Sequence, residues 1–282
     1  MEKESNGSHL RLKWWGMTHV GRYRKNNEDA FLAVVFDAAQ ANYLGKTGEA
    51  DFTLGDFVFA VSDGMGGANA GEFASRIAVD KITELLPRSY RLAQRGMHAG
   101  KSDIIHELFP RIHDEIREMS RNYEEVRGMG ATLTLAWFSP DWMFFGHVGD
   151  SRIYYLPKGG GMKQITHDHS YVGSLFRKGK INEREARNHP QKHEIEQALG
   201  ANLESVDPQV GSVGYEPGDR FLLCTDGLCD GLWDNGLQKI LRTPMPWLTK
   251  YAPAEALVRE SLSESGRDNL TAVVVEILES ES

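Results

Sequence analysis

The chain has 282 residues, of which 40% are hydrophobic and 26% are charged, a composition typical of a globular protein with a sizeable core. It carries 32 basic and 40 acidic residues, which gives a net charge of −8. A net negative chain without a basic block argues against non-specific binding to nucleic acid or to an anionic membrane.

The N-terminus and the cysteines predict a cytoplasmic protein. Residues 1–9 are polar, are expected to be flexible, and lack the apolar core of a signal peptide. No apolar run approaches the ~20 residues that a membrane helix requires. Cys224 and Cys229 are too close together, in too long a chain, to indicate a disulfide framework, so we expect both to be reduced.

The first part of the chain predicts strands and a loop. Residues 10–14 alternate apolar and basic side chains, which indicates a strand, and the apolar run 30–36 indicates another. Residues 37–56 have mixed polarity and are predicted to be a loop or a hairpin. The apolar run 57–61 then predicts a buried strand that delivers Asp63 to its open end.

Two amphipathic helices are predicted next. The first begins near Gly71 and is expected to end at Leu86, because Pro87 cannot continue a helix. The second is expected to begin at a Ser102 cap and to be kinked or split at Pro110. Its apolar stripe comprises Ile105, Leu108, Phe109, Ile112, Ile116 and Met119. Such a pair should lie antiparallel across a sheet.

The second half returns to strands. Residues 130–165 change to a period of two and are interpreted as a β-meander in mainly antiparallel sheets. Residues 171–206 form an insertion rich in charge of both signs; a solvated helical excursion is the simpler interpretation, and a substrate-contacting flap the functional one. Further strands are predicted at 220–224 and 270–277, with a helix at 254–265 between them.

Five aspartates lie beside the ends of predicted strands: Asp29, Asp63, Asp150, Asp226 and Asp268. Taken singly, each is more often a turn former or a helix cap than a ligand. Three or more at the strand ends of one sheet system would repel one another and take up protons unless a cation neutralised them.

The donor set predicts hard metal ions. His167 and His169 flank Asp168, but zinc would need further imidazole or thiolate ligands. Carboxylates and a glycine carbonyl suit Mg²⁺ or Mn²⁺, and we expect two ions; Ca²⁺ is the alternative, but no EF-hand spacing is present. Two ions about 3.5–4 Å apart activate a shared water and neutralise charge on a phosphate. Arg24 can grip two phosphate oxygens, although without the metals it would be a surface arginine.

The five aspartates belong to a longer ordered set of motifs. The motifs are Arg24-x-x-Asn27-Glu28-Asp29, Asp63-Gly64-Met65-Gly66-Gly67, Gly130-Ala131-Thr132, Gly149-Asp150-Ser151-Arg152, Thr166-His167-Asp168-His169-Ser170, Thr225-Asp226-Gly227-Leu228 and Asp268-Asn269-x-Thr271. This ordered set resembles the metal-dependent protein phosphatases of type 2C (the PPM family), and most of all their bacterial serine/threonine branch. The resemblance spans about residues 14–278, and the ordered set is far more specific than any one element.

The resemblance implies an α+β fold, a four-layer α-β-β-α sandwich of two mainly antiparallel sheets flanked by helix pairs, with residues 10–279 as one domain. It implies a serine/threonine phosphoprotein phosphatase that hydrolyses phosphate monoesters by attack of hydroxide bound to two Mn²⁺ or Mg²⁺ ions. The implied partners are phosphoserine and phosphothreonine proteins and a cognate kinase whose signalling the enzyme reverses. We expect no nucleic-acid or membrane partner, and a monomer.

The resemblance also implies roles for individual residues. Asp63 would bridge the two metals as a catalytic residue, with the Gly64 carbonyl on one ion and Asp226 and Asp268 on the other. The same resemblance gives three further residues a role: Asp29 would hold the cluster through water contacts, Asp150 would form a weaker third-metal site with Asp226, and Arg24 would bind the phosphate and act in catalysis.

The chain departs from the family pattern at possible proton donors. Met65 stands where many eukaryotic relatives have a histidine, and a thioether cannot donate a proton, so metal-bound water is expected to supply it. Ala68 stands where some bacterial relatives have histidine. The segment from His189 to His193 differs from the family's His-Pro-Arg-x-Asn, which weakens substrate contacts inferred there.

Three other functions are compatible with parts of the pattern. A catalytically silent binding module would have lost a metal aspartate, and none is lost. Two-metal phosphodiester hydrolysis uses similar ligands, but the acidic charge disfavours a nucleic-acid substrate. An aspartyl-phosphate enzyme would need an Asp-x-Asp arrangement, which these strand ends lack.

Overall fold

The structure is a computed structural model that describes residues 10–37, 40–67, 70–94, 100–140 and 142–279, with the backbone alone for 92–94. The terminus predicted to be flexible, residues 1–9, and the departure at Ala68 lie outside these ranges. Among the described helices, none has the length and apolar character that crossing a bilayer requires.

The described chain alternates between long blocks of strand and helix. Its strands are β1 (Leu10–His19), β2 (Asp29–Phe36), β3 (Ala41–Tyr43), β4 (Thr47–Asp51), β5 (Asp56–Met65), β6 (Gly130–Ala131), β7 (Leu133–Ser139), β8 (Trp142–Val148), β9 (Arg152–Leu156), β10 (Lys163–Gln164), β11 (Leu199–Gly200), β12 (Gln209–Gly214), β13 (Arg220–Cys224) and β14 (Leu270–Glu279). Its α-helices are α1 (Ala70–Gln94), α2 (Lys101–Asn122), α3 (Tyr171–Arg177), α4 (Glu183–Arg187), α5 (Asp226–Gly231), α6 (Asp234–Arg242) and α7 (Pro253–Glu264).

The strands form two sheets. The first has the order β10-β9-β13-β14-β1-β4. The second follows β11-β6-β5-β7-β8-β12, with β2 paired to β5 and β3 paired to β2. Every strand pair found in the described ranges is antiparallel, as the sequence predicted.

The two sheets pack face to face, and each carries helices on its outer face. Leu10, Leu12 and Trp14 of β1 alternate into the middle core, where Trp14 packs against Phe57 and Phe59 of β5. A second core lies between the second sheet and helices α1 and α2. A third lies between the first sheet and helices α5, α6 and α7. The result is the predicted four-layer α-β-β-α sandwich.

The predicted end of the first helix is wrong. Helix α1 runs on to Gln94 with Pro87 inside it. A proline in a helix interior costs about 3 kcal/mol, and contacts beyond the proline offset that cost. Tyr90 packs edge-on against Phe36, with 5.5 Å between ring centroids, and at 5.9 Å from Trp137. Both partners come from strands distant in sequence, so local sequence rules do not reveal them.

Helix α2 is also continuous, and Pro110 does not split it. Its N-cap is Gly100 rather than Ser102, and the Gly100 N–H donates to the carboxylate of Asp103 at 3.0 Å. The predicted apolar stripe is confirmed as the buried face of this helix. Its buried members are Ile105, Leu108, Phe109, Ile112 and Ile116.

The predicted meander is divided between the two sheets. Strands β7 and β8 pair in the second sheet, whereas β9 and β10 pair in the first. The chain therefore crosses between the sheets at residues 149–151, where Gly149 has a φ of 112°, a conformation that favours glycine. The segment 37–56, predicted to be a loop or hairpin, makes a similar crossing, because β3 pairs with β2 and β4 pairs with β1.

Candidate metal and phosphate site

Asp29 and Asp63 lie side by side at one end of the second sheet. Asp29 begins β2, Asp63 lies near the end of β5, and the two are direct partners in the antiparallel register. Directly opposed residues in such a pair have Cβ atoms about 4.5–5.5 Å apart. The strand pairing therefore brings two of the predicted carboxylates together.

Asp226 and Asp268 come from the first sheet. Asp226 follows β13 as the first residue of α5, and Asp268 lies just before β14. Because β13 and β14 are neighbours, these two positions are adjacent. Gly227 permits the close approach, since a Cβ at this position would lie 2.0 Å from the carbonyl oxygen of Asn269.

Asp150 lies where the chain crosses from one sheet to the other. The Oγ atom of its neighbour Ser151 is 2.8 Å from Oγ1 of Thr132. The same Thr132 oxygen accepts a hydrogen bond from the backbone N–H of Asp63 at 2.9 Å. Hydroxyl groups thus connect the Asp150 turn to the end of β5.

A cleft of about 640 Å³ opens where these strand ends meet. Among the predicted site residues, those lining it are Arg24, Asp63, Gly64, Asp150, Asp226 and Asp268. Asp29 is buried, with 8% of its surface exposed. The sandwich therefore brings the predicted residues to one place, with Asp29 in the wall rather than at the surface of the cleft.

Two buried carboxylate oxygens around the cleft lack a partner. The hydroxyls of Thr225 and Thr271 both donate to Oδ2 of Asp29, at 2.8 and 2.7 Å. Among the described residues, Oδ1 of Asp29 has no hydrogen-bond partner, and neither has Oδ1 of Asp226. A buried polar oxygen without a partner is costly, and a hard cation, directly or through a coordinated water, is the kind of group that satisfies it.

Burial and mutual repulsion raise the pKa of these carboxyl groups. Burial, followed by the charge of Asp29, raises the pKa of Asp63 well above its usual range. Burial raises the pKa of Asp29 to about 7, against the lowering effect of its two threonine hydrogen bonds. For Asp226, burial and then Asp230 raise the pKa to about 6. Burial and then Asp226 raise the pKa of Asp150 well above its usual range.

The donor chemistry fits hard divalent cations. Within the described residues, no group of three or more His, Cys, Asp or Glu side chains is already arranged as a metal cage. The assignment rests instead on the unpartnered oxygens of Asp29 and Asp226 and on the repulsion among the carboxylates. Oxygen donors of this type suit Mg²⁺ or Mn²⁺.

Arg24 lies at the mouth of the cleft. Its Nη2 donates to Oδ2 of Asp268 at 2.7 Å, and 51% of its side chain is exposed. This hydrogen bond is the main cause that raises the pKa of Arg24. The side-chain amide of Asn269 donates to the carbonyls of Val20 and Asn26 at 2.9 Å each, which ties the Arg24 loop to the start of β14.

The predicted flap contacts the cleft through Lys192 and His193, whereas Asp230, the partner of Lys192, is a cleft residue that sequence analysis missed. The segment 171–206 folds as α3 and α4 and returns to the second sheet through β11, which pairs with β6. Lys192 pairs with Asp230 of α5 at 3.1 Å, and both line the cleft with His193. A usable signal existed, since Asp230 lies four residues after Asp226 on one helix and so on the same face.

Comparison with known proteins agrees with this arrangement. The family model for protein phosphatase 2C matches residues 46–265. Protein phosphatase PhpP of Streptococcus pneumoniae is 30% identical over 94% of this chain and 98% of its own. The serine/threonine protein phosphatase PstP of Mycobacterium tuberculosis is 32% identical over 96% of this chain, which spans 46% of PstP.

Solved structures agree as well. The S. agalactiae serine/threonine phosphatase superposes with a TM-score of 0.77 at 27% identity, covering 95% of this chain and 100% of that one. The catalytic domain of PstP in complex with two manganese ions superposes with a TM-score of 0.72 at 28% identity, covering 96% of this chain and 100% of that one. The family model matches most of the chain, and the 30% identity to PhpP extends over nearly the full length of both proteins. This chain therefore belongs to the protein phosphatase 2C family.

Proposed function

We propose that this chain is a metal-dependent serine/threonine protein phosphatase that hydrolyses phosphate monoesters on phosphoproteins. The observation that carries the proposal is the cleft between the two sheets, where repelling carboxylates with unpartnered oxygens lie beside an exposed arginine. Its relatives PhpP and PstP, both protein phosphatases, support the same activity.

Two Mn²⁺ or Mg²⁺ ions would be held by Asp63, the carbonyl of Gly64, Asp226 and Asp268. When bound, such ions supply Lewis-acid chemistry, which activates a water and neutralises charge on the phosphoryl group. Asp29 would support this set indirectly, because its Oδ2 already accepts two threonine hydrogen bonds.

Asp150 supports a weaker third site together with Asp226. Burial, followed by the charge of Asp226, raises the pKa of Asp150 well above the usual range, so a cation that neutralises both carboxylates would relieve this repulsion. Both residues line the same cleft.

Arg24 would bind the substrate phosphate. Its contact with Asp268 uses Nη2, whereas a guanidinium carries five N–H donors in a planar fork, so further donors can engage two phosphate oxygens. The pairing with Asp268 holds the fork at the cleft and favours one orientation of the phosphate.

The proposal extends to the wider context of the protein. Residues 10–279 form one domain with 171–206 as a flap over the cleft, and the chain acts as a monomer in the cytoplasm. It reverses the signalling of a serine/threonine kinase by removing phosphate from phosphoserine and phosphothreonine proteins. The acidic net charge supports protein rather than nucleic acid as the substrate.

Turnover of para-nitrophenyl phosphate tests this function. We expect turnover that depends on Mn²⁺, disappears with a chelator, and is lost in Asp63→Asn and Asp226→Asn. Binding of Mn²⁺ to each variant, measured by calorimetry, separates lost metal from lost chemistry. Turnover that persists without metal, or faster cleavage of bis-para-nitrophenyl phosphate than of the monoester, would contradict the proposal.

A further inference from the structure

The two cysteines of the chain are in contact on either side of Asp226. Cys224 ends β13, Cys229 lies in α5, and their Sγ atoms are 3.6 Å apart. Both are free thiols, 0% and 5% exposed. Formation of a disulfide bond shortens this separation from 3.6 Å to ~2.05 Å, so the end of β13 and the start of α5 must move towards each other.

A cavity borders Cys229. This cavity of about 270 Å³ lies between α5 and the flap helices α3 and α4, and Cys229 is part of its wall. Asp150 and Asp226 line both this cavity and the metal cleft. Hydrogen peroxide is small enough to occupy this cavity, which borders both Cys229 and the metal cleft.

The surroundings of Cys229 suit a reactive thiol. The hydroxyl of Tyr154 lies 3.7 Å from its Sγ. A hydrogen bond with Cys224 is the main cause that lowers the pKa of Cys229; burial opposes this, and the charge of Arg152 reinforces it. The Arg152 charge thus favours the thiolate of Cys229, which is the form of a cysteine that attacks an oxidant.

The segment between the two thiols is tied to the site. Thr225 donates to Oδ2 of Asp29 at 2.8 Å. The backbone of Gly227 packs so tightly on Asn269 that a Cβ would lie 2.0 Å from its carbonyl oxygen. Asp226 lies between these two contacts. Closing a covalent ring over residues 224–229 would therefore move Asp226 and disturb its neighbours at the start of β14.

We propose that Cys224 and Cys229 are an oxidisable dithiol whose disulfide form weakens metal binding at Asp226, so that a peroxide reversibly switches the enzyme off. The effect on activity rests on the proposed function, but formation of the bond does not. The thiol of Cys229 attacks one peroxide oxygen, the O–O bond breaks, and a sulfenic acid and one water form. The thiol of Cys224 then attacks that sulfur, and the S–S bond forms as a second water leaves.

The electrons and atoms of this step balance. Two thiols lose two electrons and two protons, and hydrogen peroxide is reduced to two waters. A small dithiol reductant reverses the step by thiol–disulfide exchange, forming its own disulfide.

Peroxide treatment of the folded, metal-free protein tests the bond. Peptide mapping of wild type is expected to show a Cys224–Cys229 disulfide, with an intact mass lower by two hydrogen atoms. After Mn²⁺ is added, the oxidised protein is expected to bind it at least about tenfold more weakly than the reduced protein, the scale typical for displaced groups around a metal. Activity should fall by a similar factor and return with reductant.

Two variants act as controls. Cys229→Ala removes the more accessible thiol and should keep its Mn²⁺ affinity and activity after the same treatment. Cys224→Ala removes the second thiol, and it too should keep its Mn²⁺ affinity and activity after the treatment. Thiols that remain alkylatable in treated wild type, or a mapped disulfide with unchanged Mn²⁺ affinity, would overturn the proposal. A reduced wild type without any Mn²⁺-dependent turnover would instead contradict the proposed function. Peptide mapping would still show whether the disulfide forms.

Discussion

Asp29 and Asp63 are direct register partners in the antiparallel pair of β2 and β5. A slip of one residue in this pairing would turn one of the two carboxylates to the opposite face of the sheet. The alternating apolar residues that pack into the cores on both faces of these strands therefore also determine which carboxylates meet at the cleft.

Removal of Asp226 should abolish stabilisation by metal. At a free Mn²⁺ concentration about 100 times Kd, we expect the unfolding free energy of wild type to rise by about 2.7 kcal/mol. Asp226→Asn should show little of this rise, because an amide lacks the charge that attracts the cation. Without metal, the variant should be at least as stable as wild type, because one repelling carboxylate is gone. Thermal unfolding with and without Mn²⁺ measures both effects, and equal stabilisation of the two proteins would contradict the assignment.

Substitution of Arg24 should weaken phosphate recognition. Arg24→Ala removes a charge-assisted hydrogen-bond donor, for which about 1.5–3 kcal/mol is typical, so kcat/KM should fall roughly 10- to 100-fold. Arg24→Lys should recover only part, because an ammonium lacks the planar fork. Arg22→Ala, a neighbouring exposed arginine, is the matched control. Steady-state kinetics that leave kcat/KM unchanged in Arg24→Ala would remove Arg24 from the site.

A methyl group on Gly227 should be far more harmful than one on Gly236. The Cβ of Gly227→Ala would lie 2.0 Å from the Asn269 carbonyl oxygen, so the backbone beside Asp226 must shift. In Gly236→Ala the nearest atom is a Leu232 methyl at 3.9 Å, and removing a glycine from helix α6 should stabilise by up to about 1 kcal/mol. Urea unfolding and Mn²⁺ affinity compare the two, and similar effects would show that the contact at Gly227 is easily relaxed.

Buried His147 should make stability depend on pH. Burial, with a contribution from His169, lowers its pKa to about 3, and its ring nitrogens contact Thr134 at 2.8 Å and the His167 carbonyl at 3.2 Å. Because the unfolded value is about 6.5, the unfolded state binds the extra proton between these limits. The contribution of His147 to the unfolding free energy should therefore fall as pH drops from about 6.5 towards 3, by up to about 1.4 kcal/mol per pH unit, whereas the raised pKa values of Asp29 and Asp226 act in the opposite direction.

The variant His147→Asn isolates this contribution. The unfolding free energy of wild type minus that of the variant should fall as pH drops from about 6.5 towards 3. His106→Asn, which removes an exposed histidine of α2, should keep the wild-type slope. Urea unfolding across this range measures the slopes, and parallel curves for His147→Asn and wild type would show that His147 is not buried in its neutral form.

Much of the fold could be predicted from the sequence. The alternation at residues 10–14 and the apolar runs of β2 and β5 come from local side-chain periodicity, which a strand or helix expresses directly. The two helices with proline inside were predicted less well. Packing of Tyr90 against Phe36 and Trp137 extends α1 beyond Pro87, and a local rule has no access to such contacts.

The candidate site divides in the same way. The sequence by itself determined which family and which kind of metal to expect. It did so through the order and spacing of the aspartates, their neighbouring glycines and the absence of clustered soft ligands. Only the tertiary structure decided that hydroxyls of Thr225 and Thr271 hold Asp29, that Asp230 and Lys192 meet at the cleft, and that two thiols touch beside Asp226. The physical reason is that these contacts join chain segments that local periodicity does not relate, so only the packing of the two sheets and their helices brings them together.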